Sequence, residues 1–305
     1  MTRLHGVIPP VVTPLTEAGH FDPESFDALI NHLIDGGVHG LFILGSTSEV
    51  VFSTDARRRE ILTAATRAVA GRVPIIAGVI DTQTARVLEH IRTAEDAGVD
   101  AVVTTAPFYA LGGPAEVERH FRVLAANTSL PIYAYDLPVC VHTKLGVEML
   151  LRLGQEGVIA GVKDSSGDDV SFRRLALHNR AGGEPLALLT GHEVVVDGAY
   201  LAGAHGCVPG LGNIDPAGYV RMWDAYQAGD WEQVRTEQDR LAQLMEITAV
   251  VRSAVGFGAG VGAFKTALQL LGIITTNTMP EPVAALKGAD VDAIAEVLCK
   301  CGLLA

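Results

Sequence analysis

The chain has 305 residues, 49% of them apolar and 19% charged, with a formal net charge of −12. Affinity for a polyanion needs a basic surface that releases counterions, so this balance points away from nucleic acid and anionic lipid and toward small molecules. The length suits one α/β barrel of about 250 residues with an appendage, or two small domains.

The N-terminal segment MTRLHGVIPPVVTPL is interrupted by Pro9, Pro10 and Pro14 and lacks the apolar core of a signal peptide. The uncharged stretch 253–264 is too short and too glycine-rich to span a bilayer of roughly 30 Å. A cytoplasmic protein with no membrane partner is expected. Cys140, Cys207, Cys299 and Cys301 are too few for a disulfide scaffold, and the terminal C-x-C lacks the second half of a zinc site. His192–Glu193 is followed by three valines rather than a second histidine at metal-binding spacing. Neither a metal nor an organic cofactor is expected.

In chain order, short apolar runs rich in β-branched residues fall at 7–12, 40–45, 74–79, 101–106, 131–136, 159–164, 186–191 and 206–210. Segments of helical length separate them, amphipathic for example over 55–70 and 82–97, the latter closing on the glycine of D-A-G-V-D at 96–100. This is the signature of βα units, and eight of them predict a (β/α)8 TIM barrel. Continuously apolar strands imply burial on both faces. The glycines of 256–262 follow a helical stretch rather than a strand, so they predict close helix packing instead of a dinucleotide loop. After about Asp230 the pattern is purely helical. The barrel is therefore expected over 1–229, with helices packed outside it over 230–305.

Active sites in such barrels lie at the C-terminal ends of the strands. Three ends carry unusual polar residues: G-S-T-S-E at 45–49, Y-A-Y-D-L-P at 133–138 and G-V-K-D-S-S-G at 161–167. A lysine inside an apolar strand loses hydration, which disfavours its charged form, and a neutral amine is the nucleophile that attacks a carbonyl. Lys163 is thus a candidate for Schiff-base chemistry, against the simpler alternative of an ion pair with Asp164. Tyr135 ends the neighbouring strand and suits proton transfer; Tyr133, two residues earlier, reads as barrel filling. Ser46, Thr47 and Ser48 form a turn whose hydroxyls and amides suit a carboxylate, or else a solvated loop before a helix capped by Ser53 or Thr54.

In order along the chain these segments resemble the pyruvate-dependent class I aldolases, the family of N-acetylneuraminate lyase, dihydrodipicolinate synthase and 2-keto-3-deoxygluconate aldolase. G-S-T-S-E resembles that family's carboxylate loop, T-A-P-F-Y at 105–109 its aromatic pair, Y-D-L-P its tyrosine motif and G-V-K-D-S-S-G its lysine motif. L-A-G-A-H-G-C-V-P-G-L-G-N at 201–213 resembles its glycine-rich eighth strand. The resemblance implies that Lys163 forms the imine and Tyr135 moves protons, with Ser46 and Tyr109 completing a relay and Tyr109 reaching a neighbouring subunit. It implies that Ser46 and Thr47 hold the pyruvate carboxylate, that the Val208 carbonyl faces the imine, and that Gly191 and Glu193 meet the polyol of a sugar acid. Ser48 is grouped with these substrate contacts. A homo-oligomer, dimer or tetramer, is implied as well.

Three residues depart from the family pattern: Ser48 for glycine, Asp136 for asparagine, and Cys140 where dihydrodipicolinate synthases carry arginine. The reading is a lyase that reversibly cleaves a 2-keto-3-deoxy sugar acid to pyruvate and an aldehyde. A dehydratase, a neuraminate lyase or a dihydrodipicolinate synthase of the same family stays open. So does a non-catalytic barrel that binds a metabolite, since fold alone does not guarantee activity.

Overall fold

The computed structural model describes residues 3–304. Strand β1 (Gly6–Val7) leads to helix α1 (Pro23–Asp35), β2 (Leu41–Ile43) to α2 (Asp55–Val69), and β3 (Ile75–Gly78) to α3 (Thr84–Ala97). Then follow β4 (Ala101–Thr105), α4 (Pro114–Ala125), β5 (Ile132–Asp136), the single turn α5 (Pro138–Val141) and α6 (Val147–Gln155). The barrel is completed by β6 (Gly161–Asp164), α7 (Asp169–Ala181), β7 (Ala187–Thr190), α8 (Val196–Ala202) and β8 (Gly206–Cys207). Beyond β8 the described chain is helical, with α9 (Pro216–Ala228), α10 (Trp231–Ala249), α11 (Phe257–Leu270) and α12 (Ala289–Lys300).

All strands are parallel, in the order β1-β8-β7-β6-β5-β4-β3-β2. The sheet closes where the Phe42 amide donates to the Pro9 carbonyl at 3.0 Å and the Val11 amide to the Phe42 carbonyl at 2.9 Å. Every residue of the eight strands is buried, as a sheet covered by helices requires. The expected (β/α)8 barrel is the observed fold.

All eight strands are shorter than their apolar runs, β1 and β8 proportionally the most. Of 7–12 only Val7, with Gly6 before it, joins the ladder as a strand, because Pro9 and Pro10 have no amide to donate; Pro209 ends β8 in the same way. Local capping follows the sequence closely. The Thr54 hydroxyl accepts from the Arg57 amide at 3.3 Å to start α2, and Gly98, at φ 76°, ends α3 in the left-handed conformation. The glycine run 256–262 opens α11 and brings it close to the following segment, Gly258 against Val283 and Gly262 against Leu286.

Candidate active site

The parallel register sets Thr105 beside Tyr135, Tyr135 beside Lys163 and Lys163 beside Leu189, at the C-terminal ends of β4 to β7. Lys163 and Tyr135 are 4% and 3% exposed. The Lys163 Nζ lies 4.0 Å from the centroid of the Tyr135 ring and 4.8 Å from that of Phe42, and the two rings meet edge to face at 6.4 Å. Lys163 is in no ion pair among the described residues. Asp164 turns to the other side of the strand, where its carboxylate accepts from the Ser166 amide at 2.8 Å. The alternative of a Lys163–Asp164 pair is therefore not what the chain builds.

Tyr133 fills the barrel floor, its hydroxyl accepting from the Leu4 amide at 3.2 Å. Its ring is the reason for glycine at 161, where a Cβ would stand 2.4 Å from the ring.

The turn 45–48 is closed by the Ser48 amide donating to the Gly45 carbonyl at 3.1 Å and the Glu49 amide donating to the Ser46 carbonyl at 3.0 Å. Thr13 Oγ1 donates to the Ser48 carbonyl at 2.7 Å. Ser46 and Thr47 are partly exposed, and no hydrogen bond within the described chain uses their amides. Ser48 is enclosed and its hydroxyl has no partner among the described residues.

On the β7 and β8 side, the Val208 amide donates to the Thr190 carbonyl and the Gly191 amide to the Asp164 carbonyl, both at 2.7 Å. Glu193 is held in place: its Oε2 accepts from the Leu211 amide at 2.6 Å, and its backbone carbonyl accepts from Tyr219 Oη and Gln238 Nε2 at 3.2 Å each. Burial pushes its carboxyl up to about 7, against the pull of the Leu211 and Gly210 amides and of Lys163. Glu193 also borders a cavity of about 400 Å³ lined by Met245, Phe257, Val261 and Phe264.

Tyr109 sits on the loop between β4 and α4, 93% exposed and at φ 72°, so within one chain it does not pack with Lys163 and Tyr135. Asp136 is fully buried and paired with Lys144, and it accepts from the Leu145 amide at 3.1 Å. The aspartate that replaces the family's asparagine thus comes with its own cation. Cys140 is exposed on α5. Among the described residues, no three His, Cys, Asp or Glu side chains converge on a metal position, and no helix is long and apolar enough to cross a membrane.

Two features of the site escape sequence reasoning. Phe42, on β2, forms the second wall around Lys163. Lys265, on α11, makes a buried ion pair with Glu49 at 2.7 Å. A signal existed for the second: a lone cation in the apolar run 257–270, the same feature that singles out Lys163.

The closed parallel barrel, with a buried lysine and tyrosine at adjoining strand ends, is matched by a family of lyases. The model of the dihydrodipicolinate synthetase family matches residues 3–300, and the chain belongs to that family. It is 34% identical over 302 residues to a DapA-like lyase of Halobacterium salinarum described as uncharacterized, covering 99% of this chain and 95% of that one. It is 31% identical over 292 residues to the 4-hydroxy-tetrahydrodipicolinate synthase of Phenylobacterium zucineum, covering 95% of each. Among solved structures, YagE, an E. coli K12 prophage protein of the dihydrodipicolinic acid synthase family in complex with pyruvate, superposes with a TM-score of 0.93. The two are 26% identical, over 99% of this chain and 100% of that one. The dihydrodipicolinate synthase of Bacteroides thetaiotaomicron gives 0.92 at 30% identity, over 98% and 100%.

Proposed function

We propose that Lys163 forms an imine with a small 2-oxo acid and that the enzyme reversibly cleaves a 2-keto-3-deoxy sugar acid to pyruvate and an aldehyde. The observation that carries this reading is the setting of Lys163, a buried amine without an ion-pair partner among the described residues, 4.0 Å from the centroid of the Tyr135 ring. The pyruvate in the related YagE structure supports the substrate class.

In this scheme the neutral amine adds to the C2 carbonyl and the carbinolamine loses water, giving a protonated imine. Tyr135 takes the proton of the C4 hydroxyl as the C3–C4 bond breaks. The bond's electron pair moves into the imine, leaving an enamine and releasing the aldehyde. Reprotonation at C3 and hydrolysis then free pyruvate and the amine. No metal or organic cofactor takes part. The substrate carboxylate meets the amides and hydroxyls of Ser46 and Thr47 next to Ser48, the Val208 carbonyl faces the imine, and Gly191 and Glu193 border the polyol. Ser46 and Tyr109 complete the proton relay. Tyr109 stands 93% exposed in a backbone conformation that side chains rarely adopt, which supports its use by a second copy of the chain in a dimer or tetramer. A cytoplasmic location fits this metabolic role. The expected adduct is checked by borohydride reduction with pyruvate, which adds a pyruvate-derived mass to Lys163; an unmodified Lys163 peptide from pyruvate-bound protein would remove the proposal.

The named synthase relatives support a second reading, addition of pyruvate to aspartate semialdehyde. Cys140 and Lys144 speak against it. Cys140 offers no bidentate cation where those synthases carry arginine, and Lys144, the nearby ammonium, is engaged by Asp136. A missing hydrogen bond to a charged group costs about 2–3 kcal/mol, or roughly 30- to 150-fold. We expect kcat/KM with glyceraldehyde to exceed that with aspartate semialdehyde, and the reverse order moves the enzyme to the synthase branch while keeping the imine.

A further inference from the structure

The carboxylate turn is bracketed by two residues in left-handed backbone, Leu44 at φ 58° and Glu49 at φ 61°. Side chains other than glycine rarely adopt this conformation, and it persists only where the surroundings hold it. At Leu44 the chain is accommodated by Gly78, where a Cβ would lie 1.9 Å from the Leu44 carbonyl oxygen. Glu49 is held from outside the barrel. Lys265 Nζ on α11 donates to Glu49 Oε2 at 2.7 Å and to the Thr278 carbonyl at 3.0 Å, with Lys265 0% and Glu49 2% exposed. The segment carrying Thr278 is itself anchored, since Thr276 Oγ1 donates to the Leu15 carbonyl at 3.1 Å just beyond β1.

This pair is poorly made for stability alone. Burial opposes the charge on both partners, and Glu49 Oε1 is left buried with no hydrogen bond. Replacing a buried ion pair by apolar residues of similar volume is often neutral or stabilising, so the pair's presence asks for another reason. Its geometry supplies one. The Glu49 amide closes the turn onto the Ser46 carbonyl, so Glu49 is the last residue of the turn and a grip on its side chain fixes where the turn ends.

We propose that Lys265 is a positioning residue: by gripping Glu49 from the outer helices, it aims the amides of Ser46 and Thr47 at the substrate carboxylate. The inference rests on the reading of that turn as the carboxylate site. It assigns α11 a part in substrate binding although no residue of α11 touches the reacting atoms in the scheme above.

Borohydride trapping on Lys163, measured against pyruvate concentration on the full chain, tests it with Lys265→Met and the double variant Glu49→Met/Lys265→Met. The single variant leaves a buried carboxylate unpaired and is expected to melt lower. The double variant removes both charges and is expected to melt near the wild type. Half-saturating pyruvate is expected to rise at least about tenfold in both, a modest loss for misaimed hydrogen bonds to a charged group, with trapping still complete at saturation. A folded double variant with wild-type half-saturation overturns the proposal and leaves the pair a purely structural one. A wild type that is never trapped overturns the imine reading and this one with it, a result distinct from the first.

Discussion

Two lysines of this chain lie inside the protein, and they are kept there in opposite ways. Lys265 is wholly enclosed and meets a carboxylate and a carbonyl. Lys163, in the barrel mouth, meets the faces of two aromatic rings and is in no ion pair among the described residues. The paired ammonium is tied at both of its contacts; an amine among rings, with no carboxylate paired to it, is the one proposed to attack a carbonyl. Burial alone therefore does not mark a reactive lysine. The partner decides.

The contrast is broken most severely by Lys163→Met, which is expected to lower turnover by at least about 10³-fold, the scale of losing a nucleophile, while a denaturant melt shows stability within about 1 kcal/mol of wild type. A large stability loss would show that Lys163 too is a structural cation. Tyr135→Phe comes next: pyruvate trapping on Lys163 persists and steady-state turnover falls roughly 10²–10⁴-fold, as for a lost general acid–base. Normal turnover would reduce Tyr135 to a wall of the pocket.

Lys265→Met sharpens the comparison from the other side. Breaking a buried pair by removing one partner costs about 3–5 kcal/mol, read by denaturant unfolding, because Glu49 is left buried and unpaired. A loss under about 1 kcal/mol would mean that Glu49 finds water or a proton instead.

The smallest expected effect is on pH dependence. Folding raises the Glu193 carboxyl to about 7 from its ordinary 4.5, chiefly through burial. Between these values the folded protein keeps a proton that the unfolded chain has released. The contribution is fully present below about pH 4.5 and is lost as pH rises through about 7. Glu193→Gln is expected to flatten the stability profile across that window, and a profile identical to wild type would show that the carboxyl is ionised in the folded chain throughout it.

Much of the fold was legible from residue order because each strand is a short run of apolar residues and each run is buried on both faces. Every strand was over-read by a residue or more, and the errors were proportionally largest at β1 and β8, where hydrophobicity continues past the point at which Pro9, Pro10 and Pro209 withdraw amides from the ladder. Glu193 shows a different limit. Its position matched a polyol contact by resemblance, but only the folded chain shows its carboxylate held against the Leu211 amide.

The sequence by itself determined the barrel, the family and the two residues, Lys163 and Tyr135, on which the chemistry is proposed to turn. These depend on local patterns: apolar runs at regular spacing, and a polar residue where such a run ends. Only the tertiary structure decided what stands beside each charge. Glu49 and Lys265 are 216 positions apart, and Phe42 reaches Lys163 only because the barrel closes. A pairing between distant residues leaves no periodicity in the chain, since it is set by the packing of whole elements, and that packing separates the lysine that anchors from the lysine proposed to react.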